Sequence, residues 1–198
     1  MAIQESPTPR HWNYFLALED DVSRLSRYLE LTEANFEAYS LELVRILFAA
    51  ASEVDVVAKQ LCDQIDTANT AHNIDQYRVK LMGYRPEIAK SQVLIPRFGL
   101  SLSPWECWGS SQNPIWWRAY NKVKHDRHMH FSMANLKNAL NSVAGLFSLL
   151  LFHYWQEAHD GSLSPNPMLF RAGAPFQVDN LFSSPHTFTY RLAVNLTP

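Results

Sequence analysis

Apolar residues recur at intervals of three and four through the first third of the chain, which is the spacing of helices with one buried face. The clearest case is residues 32–66, which contain neither Gly nor Pro and place apolar side chains at Leu43, Ile46, Leu47, Ala50, Val54, Val57, Leu61 and Ile65. This pattern predicts one long helix from Thr32 to about Asp66. An earlier helix is predicted from about Trp12 to Leu31, where charged residues separate apolar positions at the same spacing.

The pattern changes after this long helix. A shorter helix is predicted from Ile74 to Met82, with Asn73 as its N-cap and Gly83 as its terminator. The following stretch, SQVLIPRFGLSLSPW at 91–105, has β-branched and alternating residues around a glycine. It predicts two short strands or an extended excursion, in which Pro96 confines any strand to an edge.

Two more helices are predicted in the second half of the chain. Asn113 is a favoured N-cap, so one helix is expected from Pro114 to about Arg127. A broad apolar stripe predicts another from a cap at Ser132 to about His159. The remainder, 161–198, is rich in Pro and Ser and is expected to wrap the helices as coil, with a short strand near Thr187–Leu192.

These elements predict an all-α fold, a bundle of four to five helices with a short extended excursion near 91–105 and an irregular C-terminal tail. Residues 1–160 are expected to form one helical domain, interrupted by an insertion at about 91–112. The tail, 161–198, is expected to pack on the same domain.

Composition supports a folded domain outside the membrane. Hydrophobic residues make up 47% of the 198 positions and aromatic residues 13%, far from a disordered composition. The most apolar run, Val143–Phe152, is too short to span a bilayer, so a buried helix is expected there. The N-terminus has no secretory pattern and the two cysteines form no disulfide framework, so a reducing, cytoplasmic setting without membrane association is expected.

Charge is unevenly distributed along the chain, although the net charge is only -2. Residues 1–66 carry twelve acids and five Lys or Arg, whereas residues 67–156 carry ten Lys or Arg and four acids. The second half could attract a polyanion. Equally, the two halves could complement each other when packed.

The basic residues concentrate in WWRAYNKVKHDRHMH at 116–130, which holds four Lys or Arg and three His. On a helical wheel Arg118, Asn121, Lys122 and His125 fall on one face, and Trp116 falls on the opposite, packing side. A solvated face beside the negative end of the helix dipole is the common interpretation of such a pattern.

The chemistry of these side chains allows a more specific interpretation. A histidine can take a proton from a ribose 2′-hydroxyl or return one to a leaving oxygen. An arginine can hold a phosphate and stabilise the charge of the transition state, and an asparagine can orient either group. The same set would also serve a phosphate-binding surface without catalysis.

At this point the sequence resembles the HEPN superfamily, all-helical domains whose ribonuclease members carry an Arg, four to six intervening residues and a His. The segment RAYNKVKH supplies Arg118, six residues and His125. SEVDVVAKQL, with Glu53 in an apolar face, resembles the family's second helix, and the resemblance covers residues 24–156. The chain departs from the commonest pattern at Tyr120, where that pattern has the arginine.

The resemblance implies a homodimer with a composite site made from Arg118, Asn121 and His125 of both chains. Such a site cuts RNA when the 2′-oxygen of the RNA attacks the adjacent phosphate. The reaction leaves a cyclic phosphate and needs no metal or other cofactor. Members of the family often act as toxins, with a protein antitoxin as partner, or as defence nucleases. Many others are non-catalytic and bind RNA, a nucleotide or a protein.

The neighbouring residues receive supporting roles in this interpretation. Substrate contacts are expected from Lys122, Lys124, Trp117 and Arg127, and structural support from Glu53 and Tyr120. Glu53 should have a basic side chain or a backbone donor as partner, since it lies in an apolar face. The three histidines of the segment straddle a helix end without a further defined ligand, so no metal site is predicted. A third interpretation is a structural helical dimer with this face buried in salt bridges.

Overall fold

The computed structural model describes residues 9–181 and 184–193 of the chain. Helix dominates these residues, in α1 (Arg10–Leu25), α2 (Leu41–Ile65), α3 (Ile74–Tyr84), α4 (Ile115–His125), α5 (Arg127–His130), α6 (Leu136–His153) and α7 (Trp155–Asp160). Five of these have eleven residues or more. The predicted helical fold with four to five main helices is therefore confirmed for the described part.

A small antiparallel component accompanies the helices. Its strands are β1 (Val93–Ile95), β2 (Leu100–Leu102), β3 (Arg171–Ala172), β4 (Phe176–Leu181) and β5 (Ser184–Leu192). One sheet has the order β2-β1-β3, and β4 and β5 form a separate hairpin. The strand pair expected around Gly99 is confirmed, with Gly99 in the left-handed region at φ 65°. The expectation that Pro96 confines a strand to an edge is wrong, because Pro96 lies in the connecting turn and β1 is the central strand of its sheet.

The core is centred on α6, whose side chains are buried around its whole circumference. It packs along α2, while α1 and α4 cover other sides. The expectation of a buried helix over Val143–Phe152 is confirmed. No helix in the described ranges is both long and apolar enough to cross a membrane.

The long helix predicted from Thr32 begins nine residues later, at Leu41. The Ser40 hydroxyl caps it by accepting a hydrogen bond from the Leu43 amide at 3.2 Å. Residues 33–35 form a separate 3-10 turn, and the carbonyls of residues 36 and 38 accept hydrogen bonds from the amides of residues 137 and 136, so they are not available to an α-helix continuing into α2. The predicted start at Thr32 was wrong for this reason. α1 likewise stops at Leu25, short of the predicted Leu31.

The predicted caps had mixed outcomes. Asn73 caps α3 as expected, accepting a hydrogen bond from the Gln76 amide at 3.1 Å, although that helix continues through Gly83. For α6 the cap is Asn135 and not Ser132, and it accepts from the Asn138 amide at 3.0 Å. The helix expected to reach His159 is interrupted at Tyr154, after which α7 begins.

The C-terminal tail is more regular than the coil that we expected. β3 pairs with β1, so the tail completes the sheet that the excursion starts. The strand expected at Thr187–Leu192 lies within β5. Residues 182–183 and 194–198 of the expected tail lie outside the described residues.

A buried carboxylate joins α1 to this tail. Glu19 is 5% exposed, and its oxygens accept hydrogen bonds from the amides of Met168, Leu169 and Phe170 at 3.0, 2.7 and 2.9 Å. Bonds from amides to an ionised acceptor are stronger than those between neutral groups. One side chain of the first helix therefore fixes the course of the chain about 150 residues later.

Replacing Glu19 with Ala should lower the free energy of unfolding by about 3 kcal/mol or more, because it leaves buried amides without an acceptor. Asp20→Ala is the matched control, since it removes only the exposed pair with Arg24 and should cost about 0.5 kcal/mol. Urea unfolding followed by circular dichroism measures both. Equal losses in the two variants would contradict this role of Glu19.

A second polar contact holds α1 against α2 and α6. The Nδ1 atom of His11 lies 2.5 Å from Oε1 of Glu53, and its Nε2 atom lies 2.9 Å from Oε1 of Gln60. The amide of His11 also donates to the Tyr154 hydroxyl at 3.3 Å. The prediction that Glu53 has a basic partner in the fold is therefore confirmed, and the partner is a histidine.

His153 of α6 completes this cluster. Its ring meets that of His11 edge to face, with the centroids 5.5 Å apart, and its Nδ1 atom is buried with no hydrogen-bond partner in the described residues. Burial, followed by the charge of His11, lowers the pKa of His153 from 6.5 to about 4. The fold therefore holds this ring in its neutral form at neutral pH.

The lowered pKa predicts acid sensitivity. Between pH 6.5 and about 4 the unfolded chain binds a proton at His153 that the folded chain does not, so stability falls as the pH falls through this range. His153→Phe keeps a ring and removes this titration, and should therefore lessen the drop in melting temperature from pH 6.5 to pH 4. His72→Gln, at an exposed histidine, serves as control. An unchanged drop in His153→Phe would rule out this cause.

Candidate functional site

The basic segment forms α4, and its packing side fixes how the helix lies. Trp116 is 2% exposed, its indole N–H donates to the Pro104 carbonyl at 2.9 Å, and its ring meets that of Trp105 edge to face. Opposite it on α6 is Gly145, where an added Cβ would lie 3.1 Å from the Trp116 ring. The absence of a side chain at Gly145 allows α4 to lie close to α6.

The ends of α4 differ from the prediction. Asn113 does not cap it, because its side chain accepts a hydrogen bond from Arg78 at 2.6 Å and donates to Asp75 at 3.1 Å. The N-cap position is taken by Pro114. The helix ends at His125 and not at Arg127, which instead begins the short α5.

The side of α4 away from the core presents the predicted site residues. Arg118, Lys122 and His125 are exposed, and Asn121 is half-buried beside them. Seven positions separate Arg118 from His125, which is nearly two turns and a rise of about 10 Å. The two groups proposed to act on one phosphate therefore share a face of one helix.

These side chains have no intramolecular partner in the part of the chain that the structure describes. No side-chain hydrogen bond or ion pair forms there at any of the four residues, Arg118, Asn121, Lys122 and His125. Arg45, by contrast, pairs with Asp21 and Glu42. The face is thus available to an external ligand.

The electrostatic character of the segment is strongly positive. Four Lys or Arg lie between residues 116 and 130, together with one carboxylate, Asp126. The Asp126 carboxylate lies 2.8 Å from Nδ1 of His128 and forms no ion pair with a Lys or Arg among the described residues. Such an excess of positive charge favours an anionic ligand.

Two of the predicted residues have packing roles. Trp117, expected to contact substrate, is 6% exposed and its ring contacts those of Trp116 and Tyr120, so the structure places it in the packing of α4 and not on the exposed face. Tyr120 is half-buried and meets Phe48 of α2 edge to face at 5.3 Å, as expected of a supporting residue. The ammonium of Lys124 lies 5.4 Å from the Tyr120 ring centroid.

A groove of about 630 Å³ opens at the C-terminal end of α4, and we call it the basic groove. Cationic or titratable side chains and apolar side chains both contribute to it. Its lining consists of Leu41, Phe48, Val123, Lys124, His125, Arg127, His128 and Phe131. His125 therefore belongs both to the exposed face and to the groove.

The structure brings only some of the predicted residues together. Lys124, His125 and Arg127 meet at the basic groove, while Arg118 and Lys122 lie further back along α4. Glu53 is bound to His11 and its side chain is 16% exposed, so it supports the packing of α1 and does not orient Arg118.

Sequence reasoning missed the apolar part of the groove. Leu41, Phe48 and Phe131 come from the start of α2 and from the turn after α5, and they are distant in sequence from the motif. The helix predicted from Thr32 places Leu41 well inside a helix. The signal that identifies its true position is Ser40, which as the N-cap makes Leu41 a first-turn residue, and Leu41 is 72% exposed.

No group of three or more His, Cys, Asp or Glu side chains within residues 9–181 and 184–193 is arranged to hold a metal ion. What the described residues do provide is a proton-transfer group, a guanidinium and flanking cations. This set can bind a phosphate diester, and it can also assist its cleavage by moving protons.

Comparison with known proteins adds no relative to this description. No family model, no curated protein and no solved structure matches the chain.

Proposed function

We propose that this protein is a metal-independent endoribonuclease of the HEPN type that acts as a homodimer in the cytoplasm, as a toxin or defence protein. One observation carries the proposal: Arg118 and His125 are exposed on the same face of α4, without an intramolecular partner among the described residues. A cation and a histidine placed in this way are the minimum that RNA cleavage through the 2′-hydroxyl requires.

The reaction uses these residues in defined roles. His125 takes the proton of a ribose 2′-hydroxyl as its oxygen forms a bond to the adjacent phosphorus. Arg118 stabilises the negative charge that builds up on the phosphate oxygens, and Asn121 orients the phosphate. The bond from phosphorus to the 5′-oxygen then breaks, which leaves a 2′,3′-cyclic phosphate and a 5′-hydroxyl.

Proton accounting supports a dimeric site. The leaving 5′-oxygen must receive a proton while the 2′-oxygen loses one, so two proton-transfer groups at one phosphate complete the reaction in a single step. One chain offers one such histidine on this face of α4. A second copy with its own α4 facing the first would supply the other, while Lys122, Lys124 and Arg127 hold the strand.

A non-catalytic module is the second candidate, and Tyr120 favours it. This position carries the arginine in the commonest HEPN pattern, but here the side chain is half-buried against Phe48 and Trp117. The face then lacks one cation next to Asn121. In this alternative the same face binds RNA, a nucleotide or a protein partner without cleaving it.

Substituting His125 with Ala should reduce cleavage of structured RNA in EDTA by at least about 100-fold, because general acid–base catalysis contributes roughly this much or more. Arg118→Ala should reduce it to a similar extent. Both side chains are exposed, so the melting temperature should not change. The assay follows fragments ending in a cyclic phosphate, and His72→Ala serves as the control at an exposed histidine outside α4.

Full activity in His125→Ala would exclude the proposed chemistry. RNA that stays intact with the wild-type protein, yet binds it in a manner weakened by Arg118→Ala, would establish the second candidate instead.

A further inference from the structure

We propose that the basic groove holds an unpaired nucleobase of the strand whose phosphate contacts Arg118 and His125, so that single-stranded RNA is the substrate. This inference rests on the proposed function, which it extends from a reacting phosphate to a site for the neighbouring base. It assigns a role to Leu41, Phe48 and Phe131, which the cleavage chemistry does not use.

The apolar part of the groove is exposed in a way that the fold itself does not require. Leu41 is 72% exposed, and Phe48 and Phe131 are half-buried at the groove wall. The Phe131 ring meets that of Tyr39 edge to face at 5.4 Å, and Tyr39 is itself 53% exposed. Aromatic and aliphatic side chains grouped beside a basic surface are the platform on which bases stack.

The charged part of the groove selects among apolar ligands. Lys124, Arg127, His125 and His128 line it together with the apolar residues. A nucleotide joins a flat apolar ring to an anion, so it satisfies both parts at once. An uncharged apolar segment would leave the cations desolvated without a partner, which costs free energy.

The groove is large enough to hold a base. Its volume of about 630 Å³ lies in the range of small-ligand sites, well above what a single ring requires. A base in a duplex is stacked and paired, and it must leave the helix before it can enter such a groove. The groove therefore favours a strand whose bases are already unpaired.

His125 links the groove to the reacting phosphate. It is the last residue of α4, and it lines the groove with Lys124, while Arg118 lies about 10 Å back along the helix. A base seated in the groove positions its own ribose and phosphate beside His125. The neighbouring part of the strand then follows α4 towards Lys122 and Arg118.

The test uses oligonucleotides that cannot react, so that binding is measured apart from cleavage. A mixed-sequence 2′-O-methyl RNA decamer lacks the attacking hydroxyl, and its affinity is compared with that of its duplex and of an abasic decamer with the same phosphates. Fluorescence anisotropy should give about tenfold tighter binding of the base-bearing single strand than of either comparison ligand.

The variants assign this preference to the groove. Phe131→Ala should remove most of the tenfold difference between the base-bearing and abasic decamers, and Leu41→Ala should reduce it by a smaller factor. Val79→Ala, in α3, is the matched control because Val79 is also 72% exposed, and it should leave the difference unchanged. Since Leu41 is exposed, its variant keeps the test interpretable if Phe131→Ala fails to fold.

The outcomes separate this inference from the proposed function. Cleavage of natural RNA by the wild type, combined with equal affinity for the base-bearing and abasic decamers, would overturn the groove assignment alone. If the protein prefers the base-bearing decamer through Phe131 but cleaves no RNA, the result supports base binding in the basic groove and overturns the proposed ribonuclease activity. Phe131→Ala and Leu41→Ala could instead lower self-association in sedimentation and leave oligonucleotide affinity unchanged. That result would show that a second copy of the chain occupies the groove, and it also overturns the inference.

Discussion

A helix that is buried on nearly every side must be covered by other segments almost all the way round, and α6 imposes this constraint on the rest of the chain. Its side chains from Leu136 to Phe152 are almost all buried. The long α2 covers one side, α1 and α4 cover others, and segments far apart in sequence have to reach the remainder. The other helices are positioned so that they cover the apolar surface of α6 and remove it from water.

The exposed face of α4 is a consequence of this arrangement. Trp116 lies against Gly145 on α6, and Ala119 and Val123 continue the buried side. The residues half a turn away therefore face solvent, and in this sequence they are Arg118, Lys122 and His125. Gly145 has no functional side chain, yet by allowing Trp116 to pack against α6 it fixes which face of α4 is exposed to solvent.

Periodicity was sufficient to predict most of the helices, since their buried faces are set by local spacing. It was insufficient where a distant backbone contact decides the outcome: residues 33–35 form only a short 3-10 turn, and hydrogen bonds from the amides of residues 136 and 137 to the carbonyls of residues 38 and 36 separate this turn from α2. The face of α4 was predictable because one helix carries it. The groove was not, because Leu41 and Phe48 of α2 meet Phe131 and the end of α4 only after these distant segments have packed.

The bond between Glu19 and the amides of residues 168–170 has a consequence for the order of folding. Helices α1 to α6 are complete in the nascent chain before Phe170 has left the ribosome, so α1 can pack on α2 and α6 while its buried carboxylate still lacks these donors. Until residues 168–170 are synthesised, one side of α1 stays unfinished. A contact of such long sequence separation belongs to the late events of folding, and it couples α1 to residues 168–170 in a single cooperative unit.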